Sequence, residues 1–231
     1  MEQATGSYPE YNQVVLDIRM QVLSVEVVKK NKQRQHSQKL MNDNELIEGL
    51  KENRQEAFRY LLERYQEMVI STCNNLLRNR DDAHDIAQEV FIEVYRSVNK
   101  FRQDSAITTW LYRIAVNKSL NHLRKQKNRK FFLPIEKLFS GKVSEKNLAE
   151  PDFTQPKEKE ATYIARARML HTAIDALPSN QKTAFTLHKF SNLPYKEIAD
   201  VMEVSLSAVE SLIHRAKKNL QSQLIKNIER S

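Results

Sequence analysis

Residues 108–130 place one aromatic side chain, two amides and two guanidinium groups at spacings of three and four: Trp110, Arg113, Asn117, Asn121 and Arg124. At about 100° per residue, these positions share one side of a helix whose other side is apolar. Amides and guanidiniums pair with base edges, an indole stacks on a base, and the cations that follow can hold phosphates. The pattern fits a nucleic-acid-binding face, and it fits equally a solvated polar face with Trp110 buried in the core.

A second constellation is acidic and lies in the segment "DDAHDIAQEVFIEVYRSV", where Asp81, Asp85, Glu89 and Glu93 follow one another at intervals of four. Carboxylates at this spacing on a helix repel one another by roughly 0.2–0.5 kcal/mol per pair. In a basic protein, such a ridge is either a solvated face, which is the more common case, or a docking surface for a basic partner. The residues alone leave both interpretations open.

The C-terminal segment "YKEIADVMEVSLSAVESLIHRAKKNL" has the pattern of two helices joined by a tight turn. Apolar residues are spaced to face inward on both helices: Ile198, Ala199, Met202, Val209, Leu212, Ile213 and Ala216. The pattern predicts a helix-turn-helix unit, with Glu203 at the turn position where glycine is common.

The outward positions of the second of these helices are small, polar or basic: Ser207, Ala208, Glu210, Ser211, His214, Arg215, Lys217 and Lys218. In a helix-turn-helix unit this helix enters the major groove and contacts base edges. Glu210 can accept a hydrogen bond from a cytosine amine. It can also form a capping box with Ser207, three residues earlier, and both roles remain open.

Catalytic and metal-binding patterns are missing from the sequence. Its three glycines, Gly6, Gly49 and Gly141, are isolated, so no glycine-rich loop can cradle a phosphate. The six histidines lack metal-ligand spacing, and the single Cys73 is most simply a small core residue. We expect no enzyme activity, no metal and no cofactor.

Composition indicates an all-α fold and an anionic partner. Only 3 glycines and 6 prolines interrupt the helical periodicity, and the net charge of +8 is typical of nucleic-acid- or lipid-binding proteins. No apolar run is long enough to cross a bilayer, and the single cysteine forms no internal disulfide, which favours a cytoplasmic protein without direct membrane insertion.

Changes in composition and in helical periodicity divide the chain into segments. Residues 1–40 are predicted to be a weakly ordered N-terminal extension, and Met41 is a candidate for the native start. Helical patterns over 41–130 and 161–231 predict two helical domains, the second of which contains the helix-turn-helix. Residues 131–160 hold Gly141, Pro151 and Pro156 among polar residues and are predicted to be a flexible linker.

Three segments resemble, in order, the motifs of bacterial RNA polymerase sigma factors of the extracytoplasmic-function group of the sigma-70 family: "DIAQEVF" (85–91), "FRQDSAITTWLYRIAVN" (101–117) and "LPSNQKTAFTLHKFSNLPYKEIADVMEVSLSAVESLIHRAK" (177–217). The resemblance covers about residues 43–225 and leaves 1–40 unmatched. It implies that 41–130 binds core RNA polymerase and recognises and melts the −10 promoter element. It implies that 161–231 binds the −35 element.

The resemblance also implies roles for individual residues. Asp85, Gln88 and Glu89 would contact the clamp helices of the largest polymerase subunit. The −10 and melting surface would comprise Phe101, Trp110, Arg113 and Asn117, with Asn121 and Arg124 from the same helix face. The −35 surface would comprise Ser207, Ala208, Glu210, Ser211, His214, Arg215 and Lys218.

Two departures from the family pattern bear on recognition: Gln103 stands where the family usually has glycine, and Glu210 where it often has arginine. Partners implied by the resemblance are core RNA polymerase, promoter DNA and an anti-sigma factor. The main alternative is an autonomous helix-turn-helix regulator that binds duplex DNA, which leaves the acidic ridge and the Trp110 face unexplained. A membrane-surface or RNA-binding helical protein is a further alternative, and it leaves the C-terminal unit unexplained.

Overall fold

A computed structural model describes residues 41–101, 104–131 and 158–228 of the chain. Within these residues the fold is all-α with no strand, which confirms the predicted class. The helices are α1 (Asp43–Lys51), α2 (Gln55–Leu77), α3 (Arg80–Ser97), α4 (Ile107–Phe131), α5 (Glu158–Asp175), α6 (Ser179–Lys189), α7 (Tyr195–Met202) and α8 (Leu206–Ile228). A short 3-10 helix, Val98–Lys100, follows α3. The predicted N-terminal extension and residues 132–157 of the predicted linker lie outside the described residues.

Two compact units make up the described part of the chain. The first comprises residues 41–74 and 80–118, and the second comprises residues 75–79, 119–131 and 158–228. Helix α5 begins at Glu158, three residues before the start predicted from periodicity. None of the helices among the described residues is long and apolar enough to cross a membrane.

Helix α1 begins at a well-formed cap. The Asn42 side chain accepts from the Glu45 backbone N–H at 2.9 Å, and the Glu45 carboxylate accepts from the Asn42 N–H at 3.2 Å. This capping box satisfies two of the N–H groups that a helix start leaves without partners. The Tyr60 hydroxyl of α2 donates to the Met41 carbonyl at 3.1 Å and ties the cap to the next helix.

The core of the first unit is built from the apolar stripes of α1 to α4. Its largest fully buried side chains are Leu46, Leu50, Leu61, Phe91, Ile107 and Leu111. On α4, the predicted inward residues Tyr112 and Val116 are buried, and Leu120 and Leu123 are half-buried. The burial of this stripe leaves the opposite side of α4 for the polar residues that the sequence singles out.

The second unit contains the predicted helix-turn-helix, formed by α7 and α8. Ile198, Val209 and Ile213 are fully buried between the helices, as the sequence pattern predicts. Ala173, Ile174 and Leu177 form a cluster with Ala216 and Leu220, so the long helix α8 packs on α5 as well. A hydrogen bond of 2.8 Å from Asn219 to Gln181 also holds α8 to α6.

Candidate functional site

The exposed side of α3 carries the acidic ridge, but its members differ in their surroundings. Asp85 is exposed and makes no ion pair within the described residues. The Glu89 side chain is 57% exposed. Gln88, which the family resemblance assigns to the same surface, retains only 8% of its accessible area. Two of the three predicted polymerase-binding residues therefore face outward, and the third lies mostly beneath the surface.

The C-terminal end of the ridge is paired with a cation from the neighbouring helix. Lys118 Nζ of α4 lies 3.1 Å from the Glu93 carboxylate and 3.9 Å from that of Glu89. The predicted like-charge repulsion is therefore compensated at one end, since the lysine lies between two carboxylates. Sequence analysis missed this contact, because Lys118 is separated from the ridge by 25 positions or more and no local spacing links them.

Trp110 lies at the start of α4 and stacks on Phe101, the residue that follows the 3-10 helix. The ring centroids are 4.6 Å apart and the ring planes are inclined by 25°. Phe101 is buried, whereas Trp110 is half-buried. The indole is thus neither a core side chain nor a free platform: Phe101 covers one of its faces and fixes its orientation. Gln103, in the loop between them, lies outside the described residues.

Further along α4, the predicted nucleic-acid face is accessible in most of its length. Asn117, Asn121 and Arg124 are exposed, and Arg113 is half-buried. The Arg124 guanidinium donates to the Asn121 side-chain oxygen at 3.1 Å, so these two groups fix each other's orientation. The face can offer amide donors and acceptors to base edges and a guanidinium to phosphate.

Helix α8 presents its predicted −35 residues outward. Ser207, Glu210, Ser211, His214, Arg215 and Lys218 are all exposed, and Ala208 is half-buried. Lys217 is exposed as well, so one end of the surface is small and polar and the other is basic. A helix of this composition suits contact with base edges near its N-terminus and with phosphates beyond.

The proposed capping box between Ser207 and Glu210 is wrong. The Ser205 hydroxyl accepts from the Ala208 N–H at 3.2 Å, so Ser205 caps α8 and the helix begins at Leu206. Glu210 falls beyond the capped turn and forms no hydrogen bond with Ser207. Its carboxylate is therefore not needed for the local fold and is available to a partner.

The turn before α8 depends on an unusual backbone conformation. Glu203 has φ 56° and ψ 44°, the left-handed region that favours glycine. The Val204 N–H donates to the Ala199 carbonyl at 3.1 Å and closes the turn. The deviation from glycine noted in the sequence therefore leaves the turn intact and introduces local strain.

Two protein-family models match the chain, one in its N-terminal half and one in its C-terminal half. The sigma-70 region 2 family model matches residues 61–129, and the sigma-70 region 4 model matches residues 163–220. The match to region 2 disfavours an autonomous regulator, which would need only the C-terminal unit.

Individual relatives agree with these matches. The RNA polymerase sigma-H factor of Pseudomonas aeruginosa is 33% identical over 79% of this chain and 93% of its own length. The ECF RNA polymerase sigma-E factor of Haemophilus influenzae is also 33% identical, over 80% of this chain and 96% of its own.

A solved structure supports the fold. The sigma factor RpoE of Bartonella quintana, in complex with the anti-sigma factor NepR, has a TM-score of 0.53 at 19% identity and matches 73% of this chain and 97% of its own. With two family-model matches in order and relatives aligned over nearly their whole length, the chain belongs to the extracytoplasmic-function group of the sigma-70 family, whose members direct RNA polymerase to promoters.

Proposed function

We propose that this chain binds core RNA polymerase through the exposed carboxylates of α3, which dock on the clamp helices of the largest subunit. Asp85 supports this proposal most directly, because it is exposed and has no ion pair among the described residues. Glu89 is the second contact. Gln88 retains only 8% of its accessible area and so offers little surface to a partner.

The proposed −10 surface is the polar side of α4. The indole of Trp110, oriented by Phe101, offers a stacking surface beside an unstacked base, and the exposed Asn117 amide reads its edge. Arg113, Asn121 and Arg124 add contacts to the same strand. Each stacked base contributes about 1–3 kcal/mol, so captured bases can drive promoter opening without any catalysis by this chain.

The proposed −35 surface is the outward side of α8, which enters the major groove of duplex DNA. Its exposed serines, Ala208 and Glu210 lie near the N-terminal end and are suited to base edges. His214, Arg215 and Lys218 follow within two turns and are suited to phosphates. The match to region 4 over residues 163–220 supports this role.

An anti-sigma factor is the proposed inhibitory partner. The structurally similar sigma factor of Bartonella quintana is in complex with the anti-sigma factor NepR. We propose that a protein of this class binds the present chain and competes with the polymerase for it.

The single observation that supports the proposed function best is the exposure of Asp85 on one helix together with that of Asn117 on the next. Reversal of the charge in Asp85→Lys should weaken binding to core polymerase at least about a hundredfold, because like charges brought together at an interface cost several kcal/mol. The measurement is binding of the full chain to purified core polymerase by fluorescence anisotropy.

The matched control is Glu67→Lys, which makes the same charge change at an exposed position of α2. It should bind as the wild type does. Equal binding by the Asp85→Lys and wild-type chains, with unchanged circular dichroism, would contradict the assignment of α3 as the docking surface.

A further inference from the structure

Lys118 of α4 interacts with the surface proposed for the polymerase. Its Nζ lies 3.1 Å from Glu93 and 3.9 Å from Glu89, and its side chain is 29% exposed. The two carboxylates are more exposed than the lysine, at 38% and 57%, so solvent and partners still reach them. The ion pairs therefore lie at the protein surface and are not part of its core.

The lysine makes the ridge asymmetric. Asp85 has no compensating cation among the described residues, while Glu93 is paired and Glu89 lies at the outer limit of ion-pair distance from the same lysine. A basic partner that approaches Asp85 meets an uncompensated carboxylate. One that approaches Glu89 meets a carboxylate with a fixed positive charge close behind it.

We propose that Lys118 is a positioning residue that competes with the polymerase for Glu89 and thereby weakens the association of this chain with core enzyme. This inference rests on the proposed docking of α3. A basic side chain of the polymerase that pairs with Glu89 must either share the carboxylate with Lys118 or displace it towards Glu93. In both cases two positive charges lie within a few ångströms of each other, and their repulsion opposes binding.

The direction in which Lys118→Met changes the affinity for core polymerase distinguishes competition from a purely structural role. An exposed ion pair contributes little to folding, so loss of the charge should leave the fold intact. If Lys118 competes with the polymerase, Lys118→Met should bind core enzyme about two- to fivefold more tightly at low ionic strength. The gain should shrink at high salt, because exposed charges are screened. A lysine that only holds α3 and α4 together would produce the opposite change or none.

Two controls accompany this variant. Lys118→Arg retains the charge and should bind as the wild type does. Lys100→Met removes one positive charge from another exposed lysine of the same unit and tests whether net charge alone alters binding. Glu89→Gln alone, and Glu89→Gln combined with Lys118→Met, complete a double-mutant cycle, in which the gain from Lys118→Met should disappear once Glu89 is neutral.

The experiment is an equilibrium titration of the labelled full chain with core polymerase at low and high salt. Tighter binding by Lys118→Met that is lost at high salt and in the Glu89→Gln background would support the inference. Unchanged or weaker binding by Lys118→Met, or an equal gain in Lys100→Met, would overturn it while leaving the docking surface in place. If the wild-type chain does not bind core polymerase at all, the proposed function itself is overturned.

Discussion

The two proposed DNA-binding regions of this chain are built in different ways. Helix α8 presents its outward residues from one side of a single helix, and the contacts that hold it in place lie on the opposite side at Val209, Ile213 and Ala216. In the first unit, by contrast, Trp110 stacks on Phe101, and the preceding helix α3 carries the carboxylates proposed to contact the polymerase. The α8 surface is formed by a single helix, whereas the surface around Trp110 depends on packing between secondary-structure elements.

We therefore expect the two regions to respond differently to amino-acid substitutions. A substitution on the outward side of α8 should alter one proposed contact with DNA and leave the fold intact, because these side chains are exposed. A substitution in the first unit can act through a neighbour, as Phe101 acts on Trp110 and Lys118 on Glu89. We expect the first unit to show coupled effects and α8 to show additive ones.

The largest effect expected from this comparison is at Asn117. Asn117→Ala removes an exposed amide proposed to read a flipped base, worth about 1–3 kcal/mol, which is roughly tenfold or more in open-complex yield. Polymerase binding should be unchanged, because the amide is not part of the α3 surface. Permanganate footprinting of the holoenzyme on a promoter measures the melted bases directly.

Gln126→Ala is the matched control for this experiment, since it removes an exposed amide from the opposite side of the same helix. Equal yields of open complex from the Asn117→Ala and wild-type chains would remove Asn117 from the melting surface.

A smaller effect is expected at Glu210. Its substitution tests whether a residue of α8 can affect base preference without affecting the fold. Because Ser205 caps the helix, Glu210→Ala should leave folding unchanged and should relax the base preference at one position of the −35 element by about fivefold. Selection of bound sequences from a pool of promoters with a randomised upstream element, using the holoenzyme, gives this preference. Glu197→Ala, at an exposed carboxylate of α7, is the control. An unchanged preference would mean that Glu210 contacts no base.

The smallest effect expected concerns stability and separates the two units directly. Glu203→Gly relieves a left-handed conformation that costs a residue with a side chain about 1 kcal/mol. In a domain of this size, the melting temperature of the second unit should rise by about 4–8 °C. The single tryptophan, Trp110, belongs to the first unit, so its fluorescence transition should not move while the circular dichroism transition does. A lower transition temperature would contradict the strain at Glu203.

The contrast between the regions also explains how far the sequence could predict the structure. Most inward positions of α7 and α8 follow from helical periodicity alone and are buried in the structure, although the predicted inward residues Met202 and Leu212 are only half-buried. A capping box of Ser207 with Glu210 was one of two interpretations that the sequence left open, and the cap lies at Ser205 instead. Serines two positions apart give the same local signal, and only the hydrogen bond from the Ala208 N–H to Ser205 distinguishes them.

Tertiary contacts were not predictable in the same way. A polar residue beside exposed carboxylates gives no local sign of burial, so the low exposure of Gln88 depends on what packs over it. Likewise, the pairing of Lys118 with Glu93 joins two helices whose relative rotation no single-helix pattern fixes. The role of each proposed site residue stays a prediction until it is tested.

The most direct test of the central claim is transcription from genomic DNA by purified core RNA polymerase, with and without this chain, followed by mapping of the 5′ ends. We predict new, discrete start sites preceded by a shared two-part motif, which would also supply the promoter sequence. A parallel reaction with protein that begins at Met41 tests whether residues 1–40 inhibit activity. The absence of new start sites with both forms, from protein that is folded, would contradict the assignment of this chain as a promoter-specificity subunit.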